Sequence, residues 1–391
     1  MIRGSRCARA RLVLVILVSA LGIVSLARPI LAAGYKTTDL VSDAKRPHVP
    51  KTDPHLDNPW GLVTTHDGLL VTADNDSGLG TFYKSNGNPL RTFAALPTPA
   101  GVAGPSAPTG VVMNHTNAFL ISSGTQTLPS EFLFATEEGT IIGYNQNLNS
   151  SNALIVVNNS TNGAVYKGLA RARNATGVFL YAANFHAGTI DVFSSTFAPT
   201  TLAGSFTDPN LPDGFAPFGI RHLDGDLFVT YAKQDVDKLN DAPGPGNGLV
   251  NVFNTDGQFL RRLTSPGGVL NSPWGLALAP DRFGQFSHAI LVGNFGDGRI
   301  QAFDPANGTY LGQLATRQNQ PIVIDGLWGL AFGRRRSGAS PALDEQEDLN
   351  LTNFLYFSSR PARTPPPAHE YNGLLGLIRP DPASGKVPHT P

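Results

Sequence analysis

The chain holds three tryptophans, and all three sit in one phrase: Pro59-Trp60-Gly61-Leu62, Pro273-Trp274-Gly275-Leu276 and Leu327-Trp328-Gly329-Leu330. A rare residue that returns in one local context marks an internal repeat, and periods of tens of residues belong to solenoids and propellers. With the Trp relaxed, three further copies appear at Pro108-Thr109-Gly110-Val111, Tyr166-Lys167-Gly168-Leu169 and Pro217-Phe218-Gly219-Ile220. The anchoring glycines 61, 110, 168, 219, 275 and 329 therefore lie 49, 58, 51, 56 and 54 residues apart.

Each anchor is followed by a second short apolar run: Leu69 to Ala73, Phe132 to Thr136, Phe179 to Ala183, Leu227 to Tyr231, Ile290 to Gly293 and Phe354 to Ser358. A Gly- or Asn-rich turn and a third run come next, clearest at Thr140 to Tyr144, Thr189 to Phe193, Leu249 to Phe253 and Arg299 to Phe303. Short runs rich in Val, Ile, Phe and Tyr, bounded by turn residues, are strands. No sustained helical periodicity follows residue 33, and 42 Gly with 31 Pro disfavour long helices. Six copies of three or four strands predict an all-β, six-bladed β-propeller, whose radial repetition leaves only short, protected edges.

Strict alternation along the first strand would put Trp60 with Leu62, and Trp274 with Leu276, on one bulky face. The other face would carry the glycines and then Val63, Val112, Ala170, Arg221, Ala277 and Ala331, where Arg221 breaks a small-residue pattern. The third run of blade six, Leu374 to Ile378, has no fourth strand after it. Thr37 to Val41 precedes blade one without a local partner and is expected to complete blade six, closing the ring.

Residues 1–33 read as a secretory signal peptide. Arg3, Arg6, Arg9 and Arg11 precede an apolar run from Leu12 to Leu26, and small residues then allow cleavage after Ala27 or around Ala32–Ala33. The run falls short of the roughly 20 residues a membrane span needs, so the mature chain is expected to be secreted or periplasmic without a transmembrane segment. A single propeller is then expected over 34–379, with a polar tail over 380–391. The one cysteine, Cys7, lies in the leader, which removes disulfides and thiolate metal sites from the mature chain. Formal net charge is zero and charged residues make up 15%. No basic patch with interleaved aromatics points to nucleic acid, and the Arg334-Arg335-Arg336 run reads as a solvated loop in blade six. Eight Asn-x-Ser/Thr sequons, from Asn75 to Asn350, are what Asn-, Ser- and Thr-rich loops produce.

Topology gathers candidate site residues on one rim, because each first strand begins where each second strand ends. Second strands close with Asn75, Glu137, Asn184, His186, Asp235 and Asn294, beside Trp60, Trp274 and Trp328. Asx side chains commonly bond turn backbone, and Asn184 to Gly188 and Asn294 to Gly298 fit that role. Alternatively Asn75, Glu137, Asn184, Asp235 and Asn294 are hard oxygen donors suited to calcium. A third reading makes the indoles, with His186, a platform for carbohydrate or peptide, against which stands their packing between blades. Gly-x-Ser-x-Gly, His-Glu-x-x-His and phosphate-loop motifs are absent. The insertion Asp235 to Asp241 reads as a solvated loop, and His222 as an interior residue.

Pro273 to Pro280, Ala289 to Asn294 and Arg299 to Phe303 together resemble an NHL-type repeat, as does Leu180 to Phe193. Longer phrases, including Asn58-Pro-Trp-Gly-Leu62, Phe134-Ala-Thr-Glu-Glu-Gly-Thr-Ile141, Gly214-Phe-Ala-Pro-Phe218 and Ile324-Asp-Gly-Leu-Trp-Gly-Leu-Ala-Phe332, are similar to a family of secreted, largely bacterial hypothetical proteins. Some members carry a PEP-CTERM tail, which the ending Lys386 to Pro391 lacks. The resemblance implies a fold and an extracytoplasmic location without an activity. The expected function is thus an extracytoplasmic binding or interaction module, its ligand a carbohydrate, peptide or envelope component on the rim. The alternative is a calcium-dependent hydrolase resembling propeller lactonases and phosphotriesterases, by fold analogy alone.

Overall fold

The computed structural model describes Met1 and residues 34–333, 352–362 and 372–381. The segment expected to be a signal peptide, with Cys7, the Arg334–Arg336 run, residues 363–371 and residues 382–391 lie outside the described residues.

Six sheets form the six blades of a β-propeller, antiparallel throughout except that the short strand Lys51–Thr52 pairs parallel with Val41 and Ser42 at the edge of the sixth. Blade one consists of Pro59–Thr64, Leu69–Asp74, Leu79–Lys84 and Pro89–Ala95. Blade two is Pro108–Met113, Phe132–Thr136, Thr140–Tyr144 and Leu154–Asn158, with a hairpin of Leu120–Ser123 and Gln126–Pro129 inserted after its first strand. Blade three has three strands, Tyr166–Arg173, Val178–Asn184 and Thr189–Phe193. Blade four is Phe215–Leu223, Asp226–Lys233, Gly248–Phe253 and Phe259–Thr264. Blade five is Pro273–Leu278, Ile290–Asn294, Ile300–Phe303 and Tyr310–Gln313.

Blade six takes Leu327–Phe332, Leu355–Ser359 and Leu374–Asp381 from the end of the chain and Gly34–Ser42 from its beginning. The N-terminal strand pairs antiparallel with the last one, Thr37 opposite Ile378 and Val41 opposite Leu375, so the expected closure is observed and extends further in both directions. Tyr35 anchors it, its hydroxyl donating to Phe283 O at 2.8 Å. The last strand runs to Asp381, past the boundary expected at 379.

The repeated glycine has a steric cause. First strands of adjacent blades contact one another all the way round, blade six meeting blade one. A Cβ on Gly61 would lie 2.6 Å from Thr109 O, on Gly110 2.4 Å from Leu169 N, and on Gly168 2.8 Å from Phe218 O. On Gly219, Gly275 and Gly329 it would lie 2.2, 2.4 and 2.7 Å from the carbonyl oxygens of Trp274, Trp328 and Trp60. Each glycine thus lets the next blade's backbone approach the axis, and the sixth returns to the first.

Between blades, the outer faces of these strands form separate apolar layers. Val63, Val71, Phe134 and Ile142 pack between blades one and two, and Leu62, Tyr356 and Leu375 between blades six and one.

Candidate functional site

The residue before each ring glycine does not follow strict alternation. Register shifts interrupt the pairing between Pro59 and Gly61, Tyr166 and Gly168, Pro217 and Ile220, Pro273 and Gly275, and Leu327 and Leu330. A bulge re-aims a side chain. Here it sends Trp60, Phe218, Trp274 and Trp328 toward the axis, while Leu62, Ile220, Leu276 and Leu330, two residues on, pack between blades. The expectation that Trp60 and Leu62 share one bulky face is therefore corrected.

The outcome is an aromatic plug at the face where the first strands begin. Trp60 and Trp328 stack with centroids 3.6 Å apart, and Phe295 stacks on the other side of Trp328 at 3.9 Å. Trp274 meets both indoles edge-on, at 6.3 and 6.0 Å. Phe185 and Phe218 complete the cluster. Trp60, Trp274 and Trp328 are 6%, 9% and 2% exposed, so they form a core and not the open platform considered from sequence. Trp274 Nε1 donates to Lys167 O at 2.8 Å and Trp328 Nε1 to Asn58 Oδ1 at 3.2 Å. Trp60 Nε1 is buried without a partner.

Lys167 occupies the bulge position of blade three and is 1% exposed. Its ammonium is ion-paired with Glu137 and lies 5.1 Å from the Trp60 ring centroid, a cation–π arrangement. Asn75 Nδ2 donates to Glu137 Oε2 and to Pro108 O, both at 3.2 Å. Asp241 is close enough to feel Lys167. Burial raises its carboxyl pKa, while Ser272 and Lys167 work in the opposite direction.

The calcium candidates divide on this geometry. Asn75 and Glu137 meet, with a protein ammonium already on Glu137. Asn184 Oδ1 accepts from the amides of Val165 and Ala187, each at 3.3 Å, and its Nδ2 donates to Asp191 Oδ2 at 3.0 Å. Asp235 Oδ1 accepts from Leu239 N at 3.0 Å, and Asn294 Nδ2 donates to Val269 O at 3.0 Å. No hydrogen bond joins these three to Asn75 or Glu137, and no group of three His, Cys, Asp or Glu poised for a metal occurs among the described residues. The five are thus engaged separately, Asn75 with Glu137 and the other three with different partners. His186, half-buried on the same rim, has a buried Nδ1 without a partner.

Sequence reasoning missed four members of this centre. Phe185 and Phe295 directly follow Asn184 and Asn294, so the Asn-Phe pair repeated in two turns was a legible signal. Lys167 stands in the tryptophan position of its repeat and was legible too. Asp241 carried no signal, because only the fold of its loop brings it to Lys167.

Open space lies at the opposite face. A cavity of about 170 Å³ is lined there by Val63, Val111, Leu169, Arg171, Arg221 and His222, among others. His222 is exposed at this mouth and is not the interior residue expected. No helix among the described residues is long and apolar enough to cross a membrane.

No known family profile matches the chain. A solved protein of unknown function from Bacteroides thetaiotaomicron superposes with a TM-score of 0.53 over 89% of this chain and 76% of its own, at 9% identity. That likeness speaks for the fold alone. An uncharacterized protein of Acanthamoeba polyphaga mimivirus is 38% identical over 287 residues, covering 71% of this chain and 74% of the viral one. A second is 36% identical over 304 residues, covering 76% and 73%. These relatives are viral and lend no support to the bacterial, PEP-CTERM side of the resemblance. At this identity and coverage, the chain belongs to the same family as these uncharacterized mimivirus proteins.

Proposed function

We propose that the protein is an extracytoplasmic interaction module that grips an apolar segment of a partner protein on the plugged face. One observation carries the reading: exposed apolar side chains stand on the loops of that face in blade four and at the entries to blades five and six. Val236 is 98% exposed and Leu239 is exposed beside it, both between the second and third strands of blade four. Val269 and Val323, in the loops leading into blades five and six, are exposed as well. The blade-four loop is braced against its neighbour, Gly244 N donating to Asn271 Oδ1 at 2.7 Å. Loops held by a rigid scaffold are where binding residues concentrate, and the plug beneath supplies that rigidity. Carbohydrate stacking on the indoles is not taken further, because the rings are buried. The hydrolase alternative is set aside because its oxygen donors are engaged separately. Export rests on the arginine-led apolar run of residues 3–26.

The test pans a random peptide library on the exported protein, after mass spectrometry has read its N-terminus. Apolar peptides should be selected that bind at least tenfold more weakly to the Val236→Asp, Leu239→Asp double variant. A tenfold loss corresponds to about 1.4 kcal/mol, within what two buried aliphatic side chains supply at about 1.5–3 kcal/mol each. Peptides that bind both proteins equally would remove this face from the account. An N-terminus that retains residues 1–27 would remove the processing step.

A further inference from the structure

Among the described residues, blade three stops at three strands, where the other five blades have four or more. The course of the chain explains the missing strand. After Phe193 it turns back, Ser194 N donating to Ala198 O at 2.8 Å, and it then touches the third strand through Thr200 N, which donates to Val192 O at 2.9 Å. Pro199, between them, has no N–H to add. Blade four then draws the chain away. Gly204 N donates to Asp256 O at 2.7 Å and Phe206 N to Gly257 O at 2.9 Å. A Cβ on Gly204 would lie 2.2 Å from Gly257 C, so this approach requires a glycine. Leu202 packs into the apolar layer between blades three and four.

Thr189–Phe193 is thereby left as an edge on the outer rim. Along an antiparallel strand, successive residues turn their N–H and C=O to opposite sides. The Val192 carbonyl faces outward, toward Thr200, so the N–H and C=O of Ile190 face outward too. Neither has a backbone partner there among the described residues. A groove of about 330 Å³ lies along this edge, lined by Ile190, Asp191, Val192, Pro199, Thr200 and Thr201, among others.

Side chains alternate across the strand. Ile190 and Val192 turn toward the layer shared with blade four. Asp191 turns the other way, where Tyr166 Oη and Asn184 Nδ2 donate to its Oδ2 at 2.9 and 3.0 Å, and Thr189 Oγ1 donates to its Oδ1 at 3.1 Å. These three partners are neutral, and an ionised carboxylate offers about four acceptor sites. None of the residues lining the groove is basic. The edge thus presents two backbone groups, apolar side chains on one face and a fixed negative charge on the other.

We propose that this edge takes its missing strand from a partner protein: an extended segment pairs with Ile190 and sets a lysine or arginine beside Asp191, with an apolar residue before and after it. The alternation follows from the register. A residue opposite Asp191 shares its face, and the two flanking residues share the face of Ile190 and Val192. In strand addition, main-chain bonds supply affinity and alternate side chains supply selectivity. The edge belongs to a different blade from the exposed apolar loops, so the two readings stand or fall separately.

The probes are the synthetic peptide acetyl-Thr-Val-Lys-Val-Thr-amide and its counterpart with Glu in place of Lys, titrated into the whole protein. The lysine peptide should bind at least tenfold more tightly, and should slow hydrogen exchange in the segment holding Thr189–Phe193. Ile190→Pro deletes the outward N–H, a change that edge strands tolerate, and should weaken binding at least tenfold. Asp191→Asn should erase the preference for lysine over glutamate. If Ile190→Pro unfolds, Asp191→Asn decides the matter. Wild-type protein that binds neither peptide, binds both equally, or shows no slowed exchange in this segment would overturn the proposal. Sedimentation that reveals a dimer dissociated by Ile190→Pro would assign the edge to a second copy of the chain and overturn it as well.

Discussion

A chain lacking residues 34–42 is expected to lose its cooperative unfolding transition, because among the described residues no other segment pairs with the last strand of blade six on that side. The N-terminal strand buries Tyr35, Leu40 and Val41 and pairs along the last strand from Gly34 opposite Asp381 to Ser42 opposite Leu374. At about 1.5–3 kcal/mol for each large apolar side chain buried, these three alone contribute roughly 5 kcal/mol or more. Whole domains are stable by only about 5–15 kcal/mol. The truncation also exposes the Leu374–Asp381 edge, an open template for pairing between chains, so aggregation should accompany the loss. Calorimetry of the truncated and full chains provides the check. A truncated chain that melts like the full one would mean the ring closes without this strand.

Trp328→Ala is the single substitution with the largest expected cost, about 3–5 kcal/mol for a buried aromatic truncated to alanine. Trp328 is sandwiched between Trp60 and Phe295 and touches Trp274 and Phe218 at their edges. Its removal opens a cavity at the axis and leaves Asn58 Oδ1 without the indole donor. Urea denaturation should therefore show a much lower midpoint with a similar slope. A loss below about 1 kcal/mol would show that the plug contributes little to stability, contrary to the range expected for such a site.

The ring was legible because one residue type is dictated by sterics at one place in every blade. Nothing larger than glycine fits where Gly219 faces Trp274 O, so the repeat survives even where Trp60 becomes Thr109 or Lys167. The closing strand was legible from an imbalance, a strand without a partner at one end and a blade short of a strand at the other. The direction of the tryptophans was not legible. Alternation is a rule for regular strands, and the bulge between Pro59 and Gly61 breaks it within two residues. The rim residues were placed correctly along the chain, yet their roles depend on partners far away in sequence. Glu137 binds Lys167, Asn184 closes its own turn, and Asp241 approaches Lys167 only through the fold of its loop. Arg221 was visible as the exception to a small-residue pattern, but its reach to Leu62 in blade one required the closed ring.

On the proposed reading, a partner meets loop tips of the plugged face and not the indoles beneath them. The central claim is that the mouth bearing Trp60, Trp274 and Trp328 is sealed. Acrylamide quenching of intrinsic fluorescence tests it directly, since the chain has no other tryptophan. The account predicts quenching several-fold weaker than that of free tryptophan, rising to the free value only on unfolding. Quenching of the native protein close to the free value would mean that the indoles face solvent, and would restore the open aromatic platform.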